Sequence, residues 1–235
     1  MPSTFPETVL RTDSLVLRSF SRADVEDTQR AASDELTQTW LPLPHPYTLD
    51  DATAWCSRTA HALRESGDCI HFALADPATD RLLGTIGLRR TSWRARTTEV
   101  GYWVAPWARG RGVAAEAARV VGRWALCTQG FERVELRAAT GNIASRRSAE
   151  RAGFQEEGVL RNAGVTHGGR VDLVVFSLTP ADLTPAHRLS PGHASRRRDS
   201  RLAGVEAGGS AGREVESARC GDGPGRAAGR GTGGR

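Results

Sequence analysis

A chain of 235 residues has room for one domain of ordinary size and an appendage. Its net charge of +5 rests on 32 arginines and no lysine. That composition excludes a Schiff-base enzyme and a Walker-type phosphate loop, because both need the lysine amine.

Taken in chain order, "SLVLRSF" (14–20) is rich in β-formers and reads as a strand. Ser21 caps a helix through roughly Ala32, with Asp24 favoured in its first turn. "LPLPHPY" (41–47) holds three prolines in seven residues and predicts an extended, irregular loop. Thr48 or Asp50 opens a second helix to about Glu65, stopped by Gly67; Ala52, Trp55, Cys56, Thr59 and Leu63 recur in it at helical spacing. Three strands follow at 70–76, 82–88 and 98–104. Their short connections imply an antiparallel meander. A long helix runs from about Gly112 to Thr128, with Val113, Ala117, Val120, Val121, Trp124 and Cys127 on one face. "VELRAAT" (134–140) is a strand, Ile143 to Ala152 a short helix ended by Gly153, and strands at 154–161 and 170–178 close the domain. The order is βααβββαβαββ. The long helix makes strands 98–104 and 134–140 a crossover pair, parallel inside an otherwise antiparallel sheet. This is an α+β fold, and no internal repeat recurs.

Residues 1–184 carry 22 Arg against 22 Asp and Glu, whereas residues 185–235 carry 10 against 5. The final stretch also has 12 of the 26 glycines and no Phe, Trp or Tyr. Too little apolar surface is available there to offset the entropy of ordering, so a folded domain at 1–184 and a disordered Gly/Arg-rich tail at 185–235 are expected. Cys56, Cys69, Cys127 and Cys220 lack CxxC spacing and a His at ligand spacing, so they read as free thiols and no metal site is expected. No 18-residue apolar run and no apolar leader occur, which points to a cytoplasmic protein.

The segment "WVAPWARGRGVAAEA" (103–117) ends an apolar strand, turns through two glycines and enters a helix at once. The first N–H groups of a helix have no internal partner, and its dipole adds positive potential, so such a turn can seat a phosphate. A plain left-handed turn with solvated arginines is the alternative. The run Arg109-Gly110-Arg111-Gly112-Val113-Ala114 matches the Gln/Arg-x-x-Gly-x-Gly/Ala signature of the GNAT superfamily of acyl-CoA-dependent N-acetyltransferases. "EVGYWVAP", "AAEA", "GNIASRRSAERAGFQEEGVLR" (141–161) and "VDLVVFSLTPADL" resemble its RimJ/RimL branch, which acetylates protein N-termini and related small amines. The resemblance covers about residues 8–183.

That resemblance implies a GNAT-like, mostly antiparallel twisted sheet with helices on both faces, and acetyl-CoA as cofactor. The turn at Arg109, Gly110, Arg111, Gly112, Val113 and Ala114 would hold its pyrophosphate. Backbone groups of Trp103, Val104 and Ala105 would pair with the pantetheine amides in a slot where strands 98–104 and 134–140 splay, with Pro106 ending the pairing. Asn142 would bond the pantetheine arm; as an alternative, or in addition, it caps the next helix. Ser145 would protonate the leaving thiolate, or else is a helix-surface serine. Glu99 would take the proton of the attacking amine, directly or through water; its alternative is an ion pair with Arg96 or Arg137. Phe176 stands where this branch commonly has Tyr.

The resemblance implies a primary amine as acceptor and leaves its identity open: a peptide N-terminus, a ribosomal protein, or a small molecule such as an aminoglycoside or polyamine would fit. Its entrance would be framed by the helices at 21–66, the "LPLPHPY" loop and the 161–171 connection, with Trp40, Tyr47 and Trp93 as candidate linings. A monomer or homodimer is expected. Two other readings are a non-catalytic acyl-CoA binder and an RNA-associated protein acting through the basic tail, although stacking aromatics are absent from it.

Overall fold

The computed structural model describes residues 4–183; the tail expected at 185–235 lies outside the described residues. An eight-stranded sheet runs in the order β1-β2-β3-β4-β5-β6-β8-β7. Its strands are β1 (Leu10–Arg11), β2 (Val16–Arg18), β3 (Ile70–Ala75), β4 (Leu82–Ser92), β5 (Thr97–Val104), β6 (Arg133–Ala139), β7 (Gln155–Thr166) and β8 (Gly169–Leu178). Every pairing is antiparallel except β5 with β6. The parallel pair is bridged by helix α5 (Val113–Cys127), the crossover expected from the sequence.

Alternation along the strands sets two faces. Val100, Tyr102 and Val104 of β5, Val134, Leu136 and Ala138 of β6, and Val174, Phe176 and Leu178 of β8 pack with Val113, Ala117 and Val121 of α5 and with Ala149 and Ala152 of α6 (Ile143–Ala152). Phe176 is fully buried in this layer. Burying a side chain of that size stabilises the fold by roughly 1.5–3 kcal/mol. On the opposite face Trp103, Ala73 and Leu82 meet Phe20, Trp55, Cys56 and Ala60. These come from a second layer: α1 (Val25–Ala32), α2 (Glu35–Trp40), α3 (Leu49–Ala54) and α4 (Ala60–Ser66), with a π-helical turn Trp55–Thr59 joining the last two.

The local signals worked where they were chemical. Ser21 and Asp24 form a capping box, Thr48 caps α3 with Asp51 as its box partner, and Gly67 ends α4 at φ +83°. Four expectations are corrected. The sequence reading had no β1, a two-residue edge strand too short to show a period. It also had no α2, six residues whose N-cap is Asp34. The 161–171 connection is mostly strand, because β7 and β8 continue as a hairpin to Thr166 and Gly169. Cys127 is exposed, not on the buried face of α5. It shares the side of α5 that carries half-buried Val120 and exposed Arg123, while Trp124, Ala125 and Leu126 of the same turn stay buried.

Candidate functional site

The geometry begins at the one parallel pairing. β5 and β6 stay in register from Thr97 opposite Arg133 to Val100 opposite Leu136, and then separate. β5 continues to Val104 and β6 to Ala139, each still bonded to its outer neighbour. A slot therefore opens between residues 101–104 and 137–139, with unpaired backbone edges facing into it. Val104 lies on that edge, whereas Trp103, opposite Thr85 and two residues before Ala105, turns its backbone groups to β4. Ala105 donates its N–H to Leu83 O at 2.9 Å, and its carbonyl accepts from Ala108 at 2.9 Å, so it has no free N–H for a ligand.

At the end of the slot the chain makes a 3-10 turn, Pro106–Ala108, and reaches Gly110 (φ +77°) and Gly112 (φ +80°). These are left-handed conformations that glycine adopts without a Cβ clash. Nothing lies within 4 Å of where a Cβ at either glycine would stand, so the concave side of the turn is open. The first intrahelical bond of α5 runs from Glu116 N–H to Gly112 O. The N–H groups of Val113, Ala114 and Ala115 thus point out of the helix end without an intrahelical acceptor. An open cradle, free N–H groups and the helix dipole together suit a phosphate. Arg111 is exposed, 4.0 Å from Asp76, and adds charge beside it.

Arg109 is differently engaged. Its Nη2 is bonded to the Asp34 carboxylate and, at 2.9 Å, to Thr37 Oγ1, while its Nε donates to Val104 O at 3.3 Å. This guanidinium holds the turn to the start of α2 and leaves the turn's backbone and Arg111 to face the cradle.

Across the slot, Asn142 caps α6: its Oδ1 accepts from Ser145 N at 3.1 Å. The cap role read from the sequence is present, and the side-chain amide remains available. Ser145 Oγ lies 3.1 Å from Tyr102 Oη, which also donates to Ser145 O at 3.1 Å. Burial raises the Tyr102 phenol, so it stays protonated at neutral pH. Tyr102 was missed in the sequence reading; alternation in "EVGYWV" put it on the same face as Val100, but not opposite α6. Trp40, at the end of α2, packs 3.3 Å from the position a Cβ would take at Gly141, and so reaches over the mouth of the slot. Tyr47 and Trp93 do not line it. Tyr47 is buried against Ala32 and Ala52, and Trp93 is packed between Phe5 and Phe131. His167 does meet the "LPLPHPY" loop, with Nε2 2.9 Å from Leu43 O and its ring against His45.

Glu99 sits on the face of α1 to α4, 3 % exposed. Its Oε1 accepts from Arg89 Nη2 at 2.7 Å and Nε at 3.1 Å; its Oε2 accepts from Arg90 Nη1 at 3.3 Å, with Arg137 Nε 3.5 Å away. Arg137 is one of the two partners named from the sequence; Arg96 instead pairs with Glu132. Arg89 and Arg90 were not anticipated, because nothing in the one-dimensional pattern aligns β4 with β5. Beside them Gly87 pairs with both His71 and Gly101. A Cβ at Gly87 would meet His71 Nδ1 at 2.4 Å, so the imidazole occupies the space that the glycine vacates. Burial, reinforced by the Arg89 guanidinium, pushes the His71 imidazole down to about 4.

No cluster of potential metal ligands occurs among the described residues, and no helix among them is long and apolar enough to cross a membrane. The family model of the GNAT acetyltransferase domain matches residues 14–155. The uncharacterized N-acetyltransferase YoaA of Bacillus subtilis is 29 % identical over 170 residues, 72 % of this chain and 96 % of its own. A GCN5-related N-acetyltransferase from Brucella melitensis superposes with a TM-score of 0.65 at 25 % identity, covering 77 % of this chain and 82 % of that one. Mycobacterium smegmatis RimJ, solved with CoA-disulfide, shares the fold with a TM-score of 0.65 at 22 % identity, over 73 % and 85 % of the two chains.

Proposed function

Since the chain belongs to the GNAT acetyltransferase family, whose members use acetyl-CoA, we propose that it moves the acetyl group to a primary amine by direct attack within a ternary complex. The observation that carries this reading is the slot: β5 and β6 part after Val100 and Leu136, directly upstream of the open turn at Gly110 and Gly112. The turn residues 109–112 and the N–H groups of Val113 and Ala114 would hold the pyrophosphate. The Val104 N–H, with the Asn142 amide, would hold the pantetheine arm. When bound, acetyl-CoA supplies an activated acetyl group at the inner end of this slot.

The slot has two chemically distinct sides. On the side of α5 and α6, Ser145 and Tyr102 present a coupled pair of hydroxyls, the proton source for the departing thiolate. On the side of α1 to α4 stands Glu99. An amine must be neutral to attack, and Glu99 receives its proton through a water molecule, because the slot opens only at residue 101, about 7 Å along β5 from Glu99. No acyl-enzyme is needed. Cys127 lies at the far end of α5, about 22 Å along the helix from the phosphate turn. The RimJ/RimL branch, and with it a peptide N-terminus as acceptor, is supported by the 141–161 segment and by the shared fold.

Release of free thiol from acetyl-CoA in the presence of primary amines tests the reading. Initial velocities should give intersecting double-reciprocal lines. Parallel lines, or a burst of acetyl-protein, would overturn direct transfer.

A further inference from the structure

Two glycines lie side by side where the slot opens. Gly87 of β4 is opposite Gly101 of β5, and His71 of β3 completes the row. Residues directly opposite one another in antiparallel strands share a face, so all three stand on the side of α1 to α4, with Glu99 and Trp103. The His71 ring leans over Gly87: Nδ1 stands 2.4 Å, and Cε1 2.9 Å, from where a Cβ would be. Over Gly101 the nearest atom is Arg89 Nε, at 3.4 Å. The row therefore brings an imidazole to within one strand spacing, about 5 Å, of the residue at which the slot begins. No side chain at Gly101 stands between them.

The edge of Trp55, in the π-helical turn, holds the His71 ring in place, with 4.9 Å between centroids. His71 is half-buried, and neither ring nitrogen makes a hydrogen bond among the described residues. Water satisfies such groups where no protein atom does. From the neighbouring strands the ring is faced by Arg89, which is bonded to Glu99 Oε1, and, one row along, by Arg18, which is bonded to Asp24 and Asp80. The Cys56 thiol of the packed turn stays protonated, because burial pushes it up to about 11. Burial first, and then the Arg89 guanidinium, keep the imidazole uncharged at neutral pH. An uncharged imidazole has one nitrogen that donates and one that accepts. Glu99 is fixed in its turn. The register of β4 slips between Arg89 and Ser92, Arg90 sits at φ +51°, and both guanidinium groups reach the carboxylate. One hydrogen-bonded step between oxygens spans about 2.8 Å, so the gap from the slot to Glu99 needs water, and an ordered water needs polar partners.

We propose that His71 is a positioning residue: its imidazole, level with Gly101, holds the water that carries the amine's proton to Glu99. The proposal rests on the transferase reading of the same slot. An ammonium N–H bond breaks as the water takes that proton, and a water O–H bond breaks as the Glu99 carboxylate takes one in exchange. The water is regenerated, and His71 begins and ends in the same state. A base would have to gain the proton itself, which Arg89 beside it opposes.

The test uses the full chain, acetyl-CoA and the peptide amide Ser-Ala-Ala, and follows thiol release as pH is raised. His71→Phe keeps a ring against Trp55 but has no nitrogens. It should lower kcat by about tenfold near pH 7, with KM changed by less than about twofold. The deficit should vanish towards about pH 9.5, where the free amine is already neutral. His71→Gln, which can donate and accept, should restore part of the loss. Added to Glu99→Gln, His71→Phe should cost nothing further, because both act on one proton path. A flat deficit across pH, losses that multiply in the double variant, or full activity in His71→Phe would overturn the proposal. A second readout needs no turnover. In the CoA-loaded chain labelled with nitrogen-15 at histidine, the signal that His71→Gln removes should report an uncharged ring in nuclear Overhauser contact with a long-lived water. That signal without any thiol release upholds the water site and sinks the transferase reading instead. An imidazolium at pH 7, or a ring with no bound water, overturns the proposal whatever the activity.

Discussion

The Nη2 of Arg109, in the turn that precedes α5, is bonded to the carboxylate of Asp34, the residue that caps α2. This contact joins the proposed phosphate turn to the helix whose last residue, Trp40, overhangs the slot. Asp34 also accepts from Thr37 N at 3.0 Å, so Arg109 and the N-terminus of α2 share one anion, which their donors hold below the usual carboxylate range. Asp34→Ala should therefore cost about 1–2 kcal/mol in unfolding, most of it the lost cap, since the ion pair itself is partly exposed. Denaturant titration checks that figure. The KM for acetyl-CoA should rise by about tenfold, and Arg109→Gln should reproduce the KM effect with less loss of stability. Equal stability losses in the two variants would show that the contact acts as a plain surface pair.

Acetyl-CoA should raise the melting temperature by mass action. Gly112→Asp should abolish the shift: the position has open space, but a carboxylate there repels a pyrophosphate and φ +80° strains any side chain. Gly112→Ala separates the two causes, because it carries the strain, on the order of 1 kcal/mol, without the charge. Retention of a full shift in folded Gly112→Asp would remove the phosphate from this turn.

The hydroxyl pair gives a graded expectation. Tyr102→Phe should lower kcat by about tenfold, and Ser145→Ala by less, because the phenol remains to donate. The double variant should be no worse than about the larger single effect if the two act as one relay. Fully multiplicative losses would assign them separate tasks. Steady-state kinetics at saturating acetyl-CoA provides the readout.

Glu99→Gln should reduce kcat/KM by about 10²-fold near pH 7 and recover part of the loss at higher pH, where the amine is already neutral. A flat deficit across pH would mean that Glu99 serves only to hold Arg89, Arg90 and Arg137 in place.

His71 makes the fold acid-sensitive. Its imidazole titrates near 4 in the folded chain, against about 6.5 when unfolded. Below pH 6.5 the unfolded chain binds the proton that the folded chain refuses, so stability should fall as pH drops from 6.5 towards 4 and be unaffected above 7. The loss should be on the order of 1–2 kcal/mol at pH 5. Thermal melts at pH 7 and pH 5 measure it, and His71→Phe, which keeps the edge contact to Trp55, should flatten the difference. An unchanged slope in that variant would assign the acid sensitivity to the carboxylates.

The sequence by itself determined the elements with a chemical signature and the order in which they come. Capping residues Ser21, Thr48 and Asn142, stop glycines Gly67 and Gly153, and the apolar periodicity of the long helix act through neighbours within a few residues, and such local terms are legible along the chain. The glycine turn before the long helix was legible for the same reason: two glycines next to a helix start define it wholly within residues 109–114. Short elements escaped, because two residues in β1 and six in α2 hold too little periodicity to stand out. The burial of Cys127 was misjudged because the apolar residues of α5 span more of its circumference than the sheet covers: Val120 and Cys127 fall on a side left partly open, while Trp124, Ala125 and Leu126 are buried. What surrounds Glu99 and Ser145 was decided only by the tertiary structure. Arg89 is 10 residues from Glu99, Arg137 is 38 positions on, and Tyr102 is 43 residues from Ser145. Their meetings depend on strand register, on a bulge at Arg90 and on where two parallel strands part company. Each of these is settled by packing the whole sheet between its two helical layers, and none leaves a mark on the local sequence.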